Sequence, residues 1–278
     1  MYLKHPLNAD LHCHTTASDG DLTPAEIVNR AIEQGVDVLA ITDHDNFDGF
    51  DEAKQAAGDK IKLISGIEFS SVWNGIGIHI VGLDFDPSLL EKAVQQQKLA
   101  RQSRTLKIAE RLEKLGVRNA LAGAKRFATS DTVGRPHFAK FLVADGYFTT
   151  EEEAFKKWLC KSNIGNVKTS WPGIETVVGY ITAAKGHAVV AHPHKYKMTN
   201  SKLGKFLSAF KAYGGAGMEV CAPGVAPHTQ EYFSDLCRRY QLMASRGSDF
   251  HTPNNAWTEL GRVAPLPDDV VPIWNAFK

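Results

Sequence analysis

The chain has 278 residues, 43% of them hydrophobic, which is enough for a sizeable core and fits one large α/β domain or a barrel carrying an insertion. Its 32 lysines and arginines nearly cancel 31 aspartates and glutamates, leaving +1. That balance argues against a long nucleic-acid footprint and leaves a small anionic substrate or a short oligonucleotide end. No run reaches the roughly 18 apolar residues of a membrane span, residues 1–10 lack the apolar stretch of a signal peptide, and 4 sparse cysteines (Cys13, Cys160, Cys221, Cys237) without CxxC spacing point to a reducing, cytoplasmic setting.

Residues 9–14 read as a strand ending in His12-Cys13-His14, with Asp19 close behind. His12 and His14 are two apart and face one side, whereas Cys13 faces the other and reads as a small buried apolar residue. Thr23-Pro24-Ala25-Glu26 then opens a helix: Thr23 is the N-cap, Pro24 suits the first position and Glu26 completes a capping box. Ile27, Val28, Ala31 and Ile32 form its apolar face, and Gly35 stops it. Residues 36–42 are nearly all apolar, as in a buried parallel strand, and lead into Thr42-Asp43-His44-Asp45. Strands are predicted over 61–68, ending at Glu68, and over 76–83, carrying His79.

Residues 88–115 have a helical pattern with Gly116 as the stop. From about 101 to 165 strand signals vanish. That stretch is rich in lysine and arginine, contains Gly134-Arg135-Pro136-His137, and is predicted to be a small helical insertion or cap. It divides the chain into 1–100 and 166–278, two parts of one α/β body, around 101–165. Strand and helix alternate again from Ile174. Runs at 187–191, 217–221 and 242–245 precede polar candidates, among them Ala191-His192-Pro193-His194 and Gly247-Ser248-Asp249-Phe250-His251. Repeated strand-then-helix predicts a parallel sheet, open or closed into a barrel, with its site at the carboxyl ends of the strands.

Any one of the 11 histidines is more often a surface or hydrogen-bonded structural residue, and that reading holds for His5, His187 and His228. The group is different. Strand ends that bury HxH, DH, AHP and DxH together need something to offset the cost, and imidazoles with carboxylates are the ligand set of several divalent cations. Glu68 has two oxygens with which to bridge two metals. Lys125, Arg126, Lys140, Lys156, Lys157 and Lys161 read as a solvated face, with contact to a second phosphate as the alternative. Trp171 and Phe138 read as core, with base stacking as the alternative.

Together these motifs resemble the PHP family, the polymerase and histidinol phosphatase group, over nearly the whole chain. Asp10 to His14 with Asp19-Gly20 is similar to its first motif, Ile41 to Asp45 to the second, Ala191-His192-Pro193 to the third and Gly247 to His251 to the fourth. The resemblance implies a distorted (β/α)7 barrel and three divalent metal ions, manganese first, with iron or zinc as alternatives. It assigns His12, His14, Glu68 and Asp249 to one metal, Glu68, His79 and His192 to a second, and Asp19, His44 and His251 to the third. Three dications against three carboxylates leave about +3, which favours a phosphate dianion.

The insertion resembles that of the branch containing 3′,5′-nucleotide bisphosphate phosphatases and enzymes that remove nucleotides from the 5′ end of short RNAs. The expected reaction is hydrolysis of the 3′-phosphate, for example of adenosine 3′,5′-bisphosphate to AMP, with the 5′ end of a short RNA as a second substrate. Arg135 is expected to hold developing oxygen charge, His194 to act as general acid with His137 next, and all three to contact substrate. Arg246 departs from the small or neutral residue expected there and reads as an extra cation at the substrate. No membrane or obligate protein partner is expected. The same motifs allow a histidinol-phosphate phosphatase, or a PHP module that binds metal without turnover.

Overall fold

The computed structural model describes residues 7–160, 167 and 171–278, so His5 and Lys161 lie outside the described residues. The first third alternates β1 (Ala9–Asp10), α1 (Pro24–Glu33), β2 (Val38–Ala40), α2 (Phe50–Ala57) and β3 (Lys62–Ile64). The capping box at α1 is formed: Glu26 N donates to Thr23 Oγ1 (3.2 Å) and Thr23 N to Glu26 Oε2 (2.8 Å). Ile27, Val28 and Ala31 are buried. Strands β1, β2 and β3 pair in parallel.

The run at 61–68 is not one strand. β3 stops at Ile64 and β4 (Gly66–Trp73) starts a second sheet with β5 (Ile76–Leu83), antiparallel across a two-residue turn at Asn74-Gly75. Both turn residues have positive φ, 45° and 76°, as a tight hairpin requires. The apolar pattern runs on unbroken while the pairing partner changes. After α3 (Pro87–Glu113), α4 (Ala120–Lys125), α5 (Arg135–Ala144), α6 (Glu151–Ala154) and a π turn at Phe155–Leu159, the chain returns through α7 (Ile174–Ala183) to β6 (His187–Val190). It continues through α8 (Asn200–Ala212), β7 (Gly217–Cys221), α9 (Pro227–Tyr240) and β8 (Met243–Arg246). β6 is antiparallel to β5 and parallel to β7, and β7 is parallel to β8. The expectation of an all-parallel sheet therefore fails at β4 and β5, where a hairpin replaces a helical crossover.

Backbone hydrogen bonds cross both seams between the sheets. Leu11 N donates to Arg246 O (3.1 Å) and His14 N to Phe250 O (2.8 Å) at one, Glu68 N to Asp43 O (3.1 Å) and Asp45 N to Glu68 O (3.0 Å) at the other. A cluster of Ala9, Leu11, Val38, Ala40, Ile64, Val81, Leu83, Val189 and Ala191 joins residues of five strands from both sheets.

A separate core, with Ile108, Leu112, Phe138, Phe141, Leu142 and Leu159 at its centre, serves the helical segment. Phe138 is fully buried there, in keeping with the core reading. Helix α3 belongs to both cores: Leu90, Ala93 and Val94 pack on the sheets, and Ile108, Ala109 and Leu112 pack in the helical segment. Where it crosses between them, Arg101 donates to Asp45 Oδ2 from Nε (2.8 Å) and Nη2 (2.5 Å), and Gln97 Nε2 donates to Asp45 Oδ1 (3.0 Å). Among the described residues no helix is long and apolar enough to cross a membrane.

Candidate metal centre

The strand ends bring nine side chains together. Glu68 is their hub: its carboxylate lies 2.8 Å from His44 Nδ1, 2.8 Å from His79 Nδ1, 3.0 Å from His192 Nε2, 3.4 Å from His12 Nε2 and 3.5 Å from His14 Nε2. Asp249 Oδ1 is 3.6 Å from His12 Nε2 and 3.4 Å from His14 Nε2. Asp19 lies 3.9 Å from His14 Nδ1, 3.8 Å from His44 Nε2 and 3.6 Å from His251 Nε2. Three ligand groups satisfy the distances for holding an ion: His14, Asp19, His44 and His251; His12, His14 and Asp249; His44, Glu68 and His79. His14 and His44 each stand in two groups, a sharing absent from the division implied by the family resemblance.

Local structure explains the convergence. The Asp10 carboxylate accepts from Ser248 N (2.9 Å) and Gly261 N (2.8 Å), tying the first motif to the last. Asp43 accepts from Thr15 N (2.8 Å), Thr15 Oγ1 (2.6 Å) and Ser18 Oγ (2.5 Å), which holds the loop that presents Asp19. That loop doubles back so closely that a Cβ on Gly20 would lie 2.4 Å from His14 O. Gly247 passes His12 as tightly, with 2.3 Å between a Cβ there and His12 Cβ. Asp45, His192 and Asp249 take positive φ (56°, 30° and 52°), so the chain turns abruptly at three strand ends.

The electrostatics favour cations. Burial opposes ionisation of Glu68, yet the imidazoles of His79, His44 and His12 outweigh it and hold the carboxyl well below its ordinary range. Asp19 and Asp249 are held low against burial in the same way, by His44 and His251 and by His12 and His14 respectively. Burial and the neighbouring His251 push His14 down to about 3, and burial brings His79 to about 4, so both rings are neutral and able to ligate. His12 Nε2 and both ring nitrogens of His14 are buried without a hydrogen bond. Buried orphan nitrogens aimed at carboxylates fit divalent cations, since such atoms are otherwise costly.

The surrounding residues hold several that sequence reasoning missed. Glu219, inside β7, accepts from His12 Nδ1 (2.6 Å) and from His192 N (2.5 Å). It fixes the His12 tautomer and leaves Nε2 for the centre. A lone acid in the apolar run Gly217-Met218-Glu219-Val220-Cys221 was the available signal. His251 Nδ1 lies 2.9 Å from Asp249 O, likewise leaving Nε2 toward Asp19. Lys195 forms an ion pair with Asp249.

The other sequence-predicted residues divide. Helix α5 begins beside the centre, where a Cβ on Gly134 would lie 3.6 Å from Asp19 Oδ2. His137 Nδ1 accepts from Gly134 N (2.9 Å), so one of its nitrogens caps α5. Arg135 is half-buried, its Nη1 donates to Leu159 O at 3.5 Å, and it lies within electrostatic reach of Arg101, Arg104 and Asp19. Burial, then Arg135 and Arg101, bring the Arg104 guanidinium down to about 9. Among the described residues neither Arg104 nor Arg135 has a carboxylate in ion-pair contact. His194 is half-buried beside Lys195 and His192, brought by burial to about 4.

Arg246 overturns the expectation of an extra cation at the substrate. It is buried, and its Nη2 donates to Val263 O (2.6 Å), Asn8 Oδ1 (3.2 Å) and Gly261 O (3.4 Å). At the end of β8 its side chain points away from the cluster into carbonyls of the C-terminal segment. Trp171 lies under the Arg101 guanidinium, 5.6 Å from carbon to ring centroid. Lys140 pairs with Asp21, Arg126 with Asp145 and Lys157 with Glu153, while Lys125 and Lys156 are exposed.

A mixed α/β body with an imidazole and carboxylate cluster at its strand ends defines a metal-dependent hydrolase centre. The chain belongs to the PHP domain family, whose model matches residues 10–221. It is 44% identical to a 5′-3′ exoribonuclease of Haemophilus influenzae over 96% of this chain and 98% of that one. It is 35% identical to a 3′,5′-nucleoside bisphosphate phosphatase of Chromobacterium violaceum over 98% of this chain and 96% of the relative. Among solved structures, an amidohydrolase from Chromobacterium violaceum with bound sulfate and no metal superposes with a TM-score of 0.90 at 35% identity, covering 97% of this chain and 95% of the other.

Proposed function

We propose that the protein is a metal-dependent phosphoesterase that removes the 3′-phosphate of nucleoside 3′,5′-bisphosphates and, at the same site, releases nucleotides from the 5′ end of short 5′-phosphorylated RNA. One observation carries the reading: nine imidazole and carboxylate side chains converge around Glu68, and α5 opens against Asp19 with Arg135 half-buried at its start, close enough to Arg104 for their charges to act on each other, while among the described residues neither arginine has a carboxylate in ion-pair contact. Like charges brought near each other and partly kept from water favour an anion beside them. A cluster for one phosphate and an arginine pair for another suit a substrate with two. The activities named for the relatives at 44% and 35% identity support the same substrate class.

His12, His14, Asp19, His44, Glu68, His79, His192, Asp249 and His251 are the residues to hold three cations, manganese first and iron or zinc as alternatives. Bound there, the cations supply an activated water and charge to stabilise the phosphoryl transition state. Glu219 orients His12, and Arg104 and Arg135 grip the far phosphate with planar forks. His194, neutral near pH 7, donates a hydrogen bond to a phosphoryl oxygen rather than serving as a strong acid. His137 holds the start of α5, and with it Arg135, against Asp19. The five-strand apolar cluster and the bonded seams support a distorted (β/α)7 barrel capped by residues 101–165, and the buried thiols of Cys13, Cys221 and Cys237 suit a reducing, cytoplasmic setting.

The test is phosphate release in manganese from adenosine 3′,5′-bisphosphate, beside histidinol phosphate and a 5′-phosphorylated RNA. AMP and phosphate from the bisphosphate, in preference to histidinol phosphate, is the expected result. Preference for histidinol phosphate, or no turnover of any of the three, overturns it.

A further inference from the structure

We propose that Trp257 is a stacking platform for a nucleobase downstream of the scissile phosphate, used with RNA and out of reach of a mononucleotide; this rests on the exonuclease half of the function proposed above. The residue is 86% exposed, the most exposed of the large apolar side chains among the described residues. Single exposed leucines are ordinary on a surface. An indole is different, because it offers a broad rigid face at little cost in rotamer entropy.

The exposure does not come from a loose backbone. His251 O accepts from Asp21 N (2.8 Å) at the start of the loop. Trp257 N donates to Asn255 Oδ1 (3.2 Å), and Thr258 N to Asn255 O (3.2 Å). Immediately beyond, Arg30 grips Glu259 through Nε (2.9 Å) and Nη2 (2.7 Å), and Gly261 N donates to Asp10. The fold holds the loop at both ends and leaves the ring in solvent.

Position and chemistry point to a base. Trp257 is six residues past His251, so it lies within about 20 Å of the centre. Thr252 bonds Asp21, which pairs with Lys140 of α5, so the loop starts next to the helical segment. Residues 252–258 carry no charge, and a phosphodiester backbone meets no carboxylate on the loop itself. A strand whose first phosphodiester sits at the centre must leave across the neighbouring surface, and Trp257 offers a solvent-exposed aromatic ring within that reach. Stacking on it tolerates any base, as stepwise trimming of varied sequences requires.

The experiment compares wild type, Trp257→Ala and Trp257→Phe on adenosine 3′,5′-bisphosphate and on a 5′-phosphorylated RNA of several nucleotides, with manganese. We expect Trp257→Ala to lose at least about fivefold in kcat/KM on RNA while turnover of the bisphosphate is unchanged, and Trp257→Phe to keep most of both. In metal-free protein, the fluorescence difference between wild type and Trp257→Phe should be quenched by RNA and not by the bisphosphate. Parallel losses on both substrates, no loss on either, or no RNA-dependent quenching refutes the platform. Wild-type turnover of the bisphosphate without RNA refutes it and leaves the phosphatase reading standing. If wild type turns over neither substrate, the parent reading falls, and the quenching experiment alone decides whether Trp257 meets RNA.

Discussion

Replacing Glu219 with glutamine tests whether the residues behind the ligands set metal affinity. The carboxylate makes two contacts with neighbouring ligands of the centre, to His12 Nδ1 (2.6 Å) and His192 N (2.5 Å). His192 N is a donor, and His12 Nδ1 must donate if its Nε2 is to ligate. Both contacts therefore need an acceptor, and an amide of the same size offers one. Either His12 loses its anchor or His192 N faces an amide hydrogen. A hydrogen bond to a charged group contributes about 1.5–3 kcal/mol, so manganese affinity should fall roughly 10- to 100-fold.

The pH dependence adds a second check on the same variant. Burial disfavours protonation of His12, but Glu219, Glu68 and Asp249 outweigh it and raise its pKa well above the ordinary value, so a proton competes with the metal for Nε2. Glutamine weakens that competitor. The affinity deficit should be largest at about pH 8, where protons compete least, and shrink toward about pH 6. Manganese titration by calorimetry measures it, with the melting of metal-free protein as a control for folding. Wild-type affinity in a folded Glu219→Gln protein at the higher pH would refute the reasoning.

Arg135→Ala should raise KM for the bisphosphate and lower kcat, with the loss about tenfold or more and smaller on a 3′-mononucleotide lacking the second phosphate; equal losses on both substrates count against the arginine pair as its holder. Arg101→Met leaves Asp45 buried without its cation, for a loss of about 3–5 kcal/mol, seen as a drop of order 10 °C in melting temperature; an unchanged melt means that the clamp between helical segment and sheets is idle. Near about pH 8 a thiol reagent should label Cys160 first, since burial lifts Cys221 to about 11 and Cys237 to about 12. Folded pKa values raised above the ordinary 9.0 give stability that is present below that pH and lost as pH climbs through 9 toward the folded values. Melting temperature should therefore fall on that alkaline side, and fall less in Cys237→Ala; equal slopes in the two proteins contradict the linkage.

The candidate site was more legible than the fold around it. His12, His14, His44 and His192 stand at the ends of apolar runs, Asp249 and His251 follow one a few residues on, and alternation along a strand placed His12 with His14 and hid Cys13. Pairing was less legible, because a hydrophobic run does not say which strand lies beside it; residues 61–68 read as one strand although Ser65 separates two sheets. The supporting residues escaped for a related reason. Glu219 looks like a blemish in an apolar strand until its two partners, 207 and 27 residues away, come into view. Arg246 misled in the opposite sense: proximity to Ser248 and Asp249 in sequence suggested the site, while its side chain turns into the carbonyls of 261 and 263. Arg104 is one more arginine on a basic helix until Arg135 arrives beside it from α5.

Because α3 is a single 27-residue helix rooted in both cores, the spacing between strand ends and helical segment is set by counting residues along a rod. Inserting one residue between Gln97 and Ile108 would advance everything beyond it by about 1.5 Å and swing it by about 100°. Arg104 would leave Arg135, or the clamp at Asp45 would break. Length changes tolerated in that stretch should come close to whole turns. The molecule thus carries its ruler inside one helix, and on the function proposed above the spacing between its two phosphate sites is a matter of helical register.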